Sequence, residues 1–200
     1  MSIKSEYNIG TQSIILDALR LLNINNVEVE KAIKIYNKYL NAKYVGKRSR
    51  RLLAYTALYV LLRLEHVPIT INRFARILDI SVKSLSSCYR NMIRELGLVL
   101  PSIDIEKYVD YILRYLNIDM VYDIRYNALY MVKCLKESNA VNGKNPAGVA
   151  AAIVCLALIE KDYVNAGRYI REIAPLAGVS IVTLKKRIKE LNTILKSRTN

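Results

Sequence analysis

The 200-residue sequence is poor in punctuation, with seven glycines and four prolines. A many-stranded sheet needs more turns than these supply, so long helices with short connections are favoured. Histidine occurs once, at His66, and the three cysteines, Cys88, Cys134 and Cys155, show no CxxC spacing. A zinc ribbon or finger built by this chain alone is thereby excluded. Each cysteine lies in an apolar helical stretch, which points to buried free thiols and a reducing, intracellular setting. The N-terminal MSIKSEYNIG has no apolar h-region of a signal peptide. The longest uncharged apolar run of the second half, 147–159, is too short to span a bilayer. Acidic residues are scarce as well, 17 against 31 lysines and arginines, which leaves a net charge of +14.

What is present is a globular composition, 52% hydrophobic, long enough for a substantial core. The positive charge is not a tail on a neutral domain. Residues 1–100 carry 16 basic and 7 acidic side chains, and residues 101–200 carry 15 and 10. A polyanion is the natural partner, nucleic acid first and an anionic membrane surface second. A basic protein that is merely soluble is the plain alternative.

Apolar periodicity predicts helices over 9–22, 27–45, 48–64, 70–78 and 81–96, with Thr70 and Ser81 as caps. The third is apolar almost all round, which fits a central core helix. Residues 97–101 are the best linker. The pattern then restarts over 103–116, 121–138, 146–159, 168–176 and 180–195. GKRSRRLLAYTALYVLLR, from Gly46, matches GKNPAGVAAAIVCLALIE, from Gly143, and DISVKSL, from Asp79, matches GVSIVTL, from Gly178. The expectation is an all-α chain of two tandem five-helix repeats, 1–99 and 100–200. In each repeat the other four helices would wrap the third.

The stretch GVSIVTLKKRIKELNTIL, from Gly178, carries the most specific chemistry. Ser180 is a good N-cap. Leu184, Ile188, Leu191 and Leu195 form one apolar stripe, and Val182, Lys185, Lys186 and Lys189 fall on another face. With the short helix before it, this makes a helix-turn-helix whose second helix suits the major groove of DNA. An amphipathic helix with a solvated basic face is the alternative. The matching face of the first repeat, Lys83, Ser86, Ser87 and Arg90, is less basic.

Two cyclin-like repeats with these motifs resemble the core of archaeal transcription factor B and of eukaryotic transcription initiation factor IIB, over roughly residues 10–195. GKNPAGVAAAIVCLA looks like the second-repeat signature of that family, and REIAPLAGVSIVTLKKRIKEL looks like its helix-turn-helix. Ser49 to Arg63, followed by Glu65, Val67, Pro68 and Thr70, is similar to the third helix and connector of the first repeat. The resemblance implies a promoter-binding initiation factor that recognises TATA-box-binding protein seated on promoter DNA. It places Val182 and Lys185 at base-contacting positions, with Thr183, Lys186, Arg187, Lys189 and Lys144 as further DNA contacts. Lys47 and Arg48 fall in the loop expected at the downstream minor groove. Ser81, Val82 and Lys83 match the turn that packs on TATA-box-binding protein. Val82, Ile69 and Ser87 stand where the family has basic residues, which removes cation character from that contact. The family normally begins with a zinc ribbon and a polymerase-entering segment, and this sequence starts almost at the first repeat. That raises the alternative of a ribbon-less regulator that competes with or modifies the full-length factor, and leaves contact with RNA polymerase uncertain.

A cyclin-type kinase-binding module is a further alternative, one that does not need the lysine face. No P-loop, nucleophile-elbow or HExxH motif occurs. His66 reads as a connector residue. Asp104, Glu106 and Asp110 read as solvated carboxylates, and the 15 tyrosines read mostly as core rims. No enzyme, cofactor, metal or membrane partner is expected. The expected location is cytoplasmic and nucleoid-associated, or nuclear in a eukaryote.

Overall fold

The computed structural model describes residues 3–42, 49–118 and 120–199. Among them are ten helices: α1 (Ile3–Leu22), α2 (Val29–Ala42), α3 (Arg50–Leu64), α4 (Ile71–Ile77), α5 (Val82–Leu96), α6 (Ile105–Arg114), α7 (Val121–Glu137), α8 (Pro146–Lys161), α9 (Ala166–Ala177) and α10 (Ile181–Thr199). The chain divides into two compact units, Met1–Ser102 and Ile103–Asn200, with five helices in each. No described helix is long and apolar enough to cross a membrane.

In the first unit α3 is the core. It buries every residue from Leu53 to Leu62 and packs on α1, α2 and α5. Tyr59 reaches α4 and α5, its ring 5.0 Å from Phe74 and 5.1 Å from Tyr89. The buried Thr56 hydroxyl donates to the Leu52 carbonyl at 2.7 Å, so it adds no unsatisfied polar group. In the second unit α8 holds the same place, burying Ala147 to Leu158 against α6, α7, α9 and α10. Each unit has its own hydrophobic cluster around this helix.

The caps explain where the helices start. Thr70 accepts from the Arg73 N–H at 3.3 Å, Ser81 from Ser84 at 3.3 Å and Ser180 from Thr183 at 3.0 Å. Each satisfies a first-turn amide that has no partner within the helix. Asn145, a cap not anticipated above, takes the amides of Ala147 and Gly148 at 3.0 and 3.3 Å, with Pro146 beginning the helix.

A chain with seven glycines must end its helices by other means. Among the described residues, six helices stop on a left-handed residue, and only two of the six residues are glycine: Gly97 and Gly178 stand beside Asn23, His66, Asp79 and Asn139. The amide one residue further on then closes back five positions, as in Ile24 to Leu19, Val67 to Leu62, Ile80 to Ala75 and Val179 to Ala174. Asn, Asp and His tolerate this conformation better than other side chains do. The single histidine is therefore an exposed helix terminator.

Candidate nucleic-acid interface

The site is built on α9, a three-residue turn and α10. Gly178 ends α9 at φ 66°, a conformation that suits a residue without Cβ. The Val179 amide bonds the Ala174 carbonyl at 3.1 Å. Gly148 of α8 lies under this turn, where an added Cβ would sit 3.7 Å from Val179 Cγ1. The Ser180 hydroxyl is shared between the Thr183 amide and the Thr183 hydroxyl, the latter at 2.8 Å. The start of α10 is thus fixed in direction by a cap on one side and a closed turn on the other.

Packing fixes its rotation. Leu184 and Leu191 are fully buried, with Ile188 and Leu195 partly buried beside them. Each fully buried leucine contributes about 1.5–3 kcal/mol relative to exposure. α10 uses this stripe against α7, α8 and α9. With 3.6 residues per turn, the opposite face carries Val182, Lys185, Lys186 and Lys189, and all four are exposed, Val182 by 78%. Among the described residues, no carboxylate forms a salt bridge with Lys185, Lys186 or Lys189.

Lys144 and Arg187 are placed differently. Both are about three-quarters buried and both reach Glu190: Arg187 Nη1 donates to Oε2 at 2.9 Å, and Lys144 Nζ donates to Oε1. The Lys144 hydrogen bond, with the charges of Arg187 and Lys186, holds the Glu190 carboxyl below its ordinary range. The Lys144 bond ties the loop before α8 to the middle of α10. Spacing makes the Arg187–Glu190 pair legible at i, i+3. Lys144 and Glu190 are 46 positions apart, and no local pattern announces that pair.

In the first unit Ser81, Val82 and Lys83 are exposed at the start of α5. Ser87 is exposed too, but Ile69 is 1% exposed and packs in the core. The Tyr59 hydroxyl donates to its carbonyl at 3.5 Å. The expectation that Ile69 removes a cation from a surface is therefore corrected, because its side chain faces inward. Lys47 and Arg48 lie outside the described residues.

The remaining candidates take ordinary places. Glu106 pairs with Lys136 at 2.7 Å and Asp110 with Arg125 at 2.7 Å, so these two carboxylates join α6 to α7 rather than being simply solvated, while Asp104 stands at the N-cap of α6. Burial pushes the Glu106 carboxyl up, but the Lys136 hydrogen bond, the backbone hydrogen bond and the Lys136 charge together outweigh it, so the net shift is down. Cys88 and Cys155 are buried free thiols and Cys134 is half-buried. Burial pushes the Cys155 thiol up to about 12. The tyrosines divide: Tyr36, Tyr39, Tyr55 and Tyr59 are in the core, whereas Tyr122, Tyr126, Tyr130 and Tyr163 are well exposed and are not core rims. Among the described residues no cluster of three or more His, Cys, Asp or Glu is placed to hold a metal.

Comparison with known sequences now decides the family. The model of the transcription factor TFIIB repeat matches twice, at residues 11–95 and 101–194. The chain belongs to the TFIIB-repeat family. Its two units are thus cyclin-like all-α repeats. Transcription initiation factor IIB of Ignicoccus hospitalis is 32% identical over 175 residues, 88% of this chain and 54% of that protein. The factor of the same name from Pyrodictium occultum is 32% identical over 170 residues, 85% of this chain and 53% of that protein. That of Sulfurisphaera tokodaii is 32% identical over 176 residues, 88% and 56%. The chain spans about half the length of these curated relatives.

Proposed function

We propose that this chain is a promoter-binding initiation factor B-like protein, and that it docks on TATA-box-binding protein already seated on promoter DNA. The observation that carries the reading is the exposed face Val182, Lys185, Lys186 and Lys189 on a helix whose other side is locked into the second unit. A rigidly held helix in the major groove contacts base edges with its first residues and phosphates with its cations. Val182 offers an apolar contact to a thymine methyl, and Lys185 reaches guanine O6 or N7. Lysine lacks the bidentate fork of arginine, so its reading of the base is looser. Ser81, Val82 and Lys83, at the exposed start of α5, are assigned to TATA-box-binding protein. Membership in the TFIIB-repeat family supports both assignments.

The test is a gel shift with promoter duplex, TATA-box-binding protein and this chain. The expected result is weak binding to DNA alone, a ternary complex when both proteins are present, and a steep loss of it with added salt. Absence of a ternary complex at moderate salt would refute the reading. Capture of a kinase with no DNA complex would favour a cyclin-type module instead.

A further inference from the structure

We infer that Glu190 is a built-in counter-anion that limits how many phosphates the second unit engages. The inference deepens the duplex-DNA reading above and rests on it. Three observations converge on this side chain. Glu190 is the only acidic residue in α10, amid Lys185, Lys186, Arg187, Lys189, Lys196 and Arg198. Its two oxygens are taken by two different cations, Arg187 from the preceding turn and Lys144 from the loop before α8. Those two cations are the more buried ones of the interface, 22% and 23% exposed, whereas Lys185, Lys186 and Lys189 are open to solvent.

The physical consequence follows from counterion release. Affinity for duplex DNA rises with each phosphate that a free cation neutralises, and the salt dependence steepens by about 0.9 per phosphate. A cation already neutralised within the protein releases no counterion from DNA. Glu190 thereby splits five cations into two groups. Lys185, Lys186 and Lys189 are available to DNA, while Lys144 and Arg187 are held back and fix the α8 loop against α10. Sequence-independent attraction is kept low, and a larger share of the binding falls to the base contacts of Val182 and Lys185. Glu190 is on this account a specificity-determining residue that never touches DNA.

The experiment is fluorescence anisotropy of the whole chain with a 20-base-pair duplex of arbitrary sequence, titrated between 50 and 200 mM KCl. Glu190→Gln should bind at least about tenfold more tightly at 100 mM, with the salt slope steeper by about 1.8, two phosphates' worth. Lys144→Met with Glu190 intact should leave the slope unchanged, whereas Lys185→Met should flatten it by about 0.9. In the Glu190→Gln background, Lys144→Met should now cost about 0.9 as well. An unchanged slope in Glu190→Gln, with a normal circular-dichroism melt, would overturn the inference while leaving the DNA reading intact. If Glu190→Gln does not fold, Lys144→Met decides alone, and a slope lowered by about 0.9 with Glu190 present overturns it. Failure of the unaltered chain to bind duplex even at 50 mM would overturn the DNA reading itself, and this inference with it.

Discussion

α3 and α8 occupy the same place in their units and fill it in opposite ways. α3 fills space with bulk: Leu53, Tyr55, Leu58, Tyr59, Leu61 and Leu62 are all buried. α8 presents small side chains, Gly148 and five alanines among its twelve buried residues, which lets neighbouring backbones come close. Both solutions bury the central stretch of a helix of similar length, 15 and 16 residues. The consequence shows at the fifth helix. α10 packs on three helices including α8, holding a stripe down while exposing lysines on the far side. α5 packs on α2, α3 and α4 in the same manner but exposes Lys83, Ser87 and Arg90. One architecture therefore carries two outer faces, and only the second is strongly cationic.

The largest effect that would break this comparison is on DNA binding. Reversing Lys185, Lys186 and Lys189 to Glu should lower duplex affinity at least about 500-fold at 0.1 M salt, the equivalent of three lost phosphate contacts. Reversing Lys83 and Arg90 should lower it less than about tenfold, since α5 is assigned to a protein partner and contributes only long-range charge. Comparable losses from the two helices, measured by anisotropy, would erase the distinction between them.

The two core strategies predict opposite sensitivities. Leu58→Ala in α3 opens a cavity and should cost about 2–5 kcal/mol. Ala151→Leu in α8 adds bulk where side chains are small and should cost about 1–3 kcal/mol. Urea unfolding of the two variants, monitored separately in each unit by fluorine labels, checks the size and the location of each loss. Tolerance of leucine at Ala151 would mean that α8 is not closely packed.

Acid should separate the units next. Glu106, Asp162 and Glu190 all have carboxyl groups held below the ordinary range, and all lie in the second unit. For Asp162 the cause is hydrogen bonding from Asn165 and then Tyr169. A depressed folded pKa stabilises fully above the unfolded value, about 4, and that stability disappears as pH falls through the folded value. Amide signals of the second unit should therefore weaken at a higher pH than those of the first as pH falls below about 4. The smallest effects concern the caps: Ser180→Ala and Ser81→Ala should each cost about 1 kcal/mol. The cost at Ser180 should be the greater, because its hydroxyl also bonds that of Thr183.

Much of the architecture was legible because it rests on local rules. A serine or threonine ahead of an apolar run marked the starts of α4, α5 and α10, and each of those side chains caps its helix. The stripe Leu184, Ile188, Leu191 and Leu195 announced both the buried face and, by subtraction, the exposed one. What stayed hidden depends on distance or on rarer chemistry. Asn23, His66, Asp79 and Asn139 end helices in the left-handed conformation, a role that glycine would have advertised. Ile69 stands where the family resemblance puts a surface cation, yet its place in the core beside Tyr59 could be seen only in three dimensions. The Lys144–Glu190 pair spans 46 residues, so a sequence that shows two cations cannot show that one carboxylate holds both. Periodicity alone put the tyrosines at core rims, but Tyr122, Tyr126 and Tyr130 follow the outward side of α7 at intervals of four.

The central claim is that the exposed face of α10 meets duplex DNA. Titrating isotope-labelled protein with promoter duplex and following backbone amide shifts tests it most directly. The account predicts shifts concentrated at Val182, Lys185, Lys186 and Lys189, with Leu184 and Leu191 little moved and the outer face of α5 nearly silent. Shifts confined to the tyrosine face of α7, or spread evenly over both units, would contradict it.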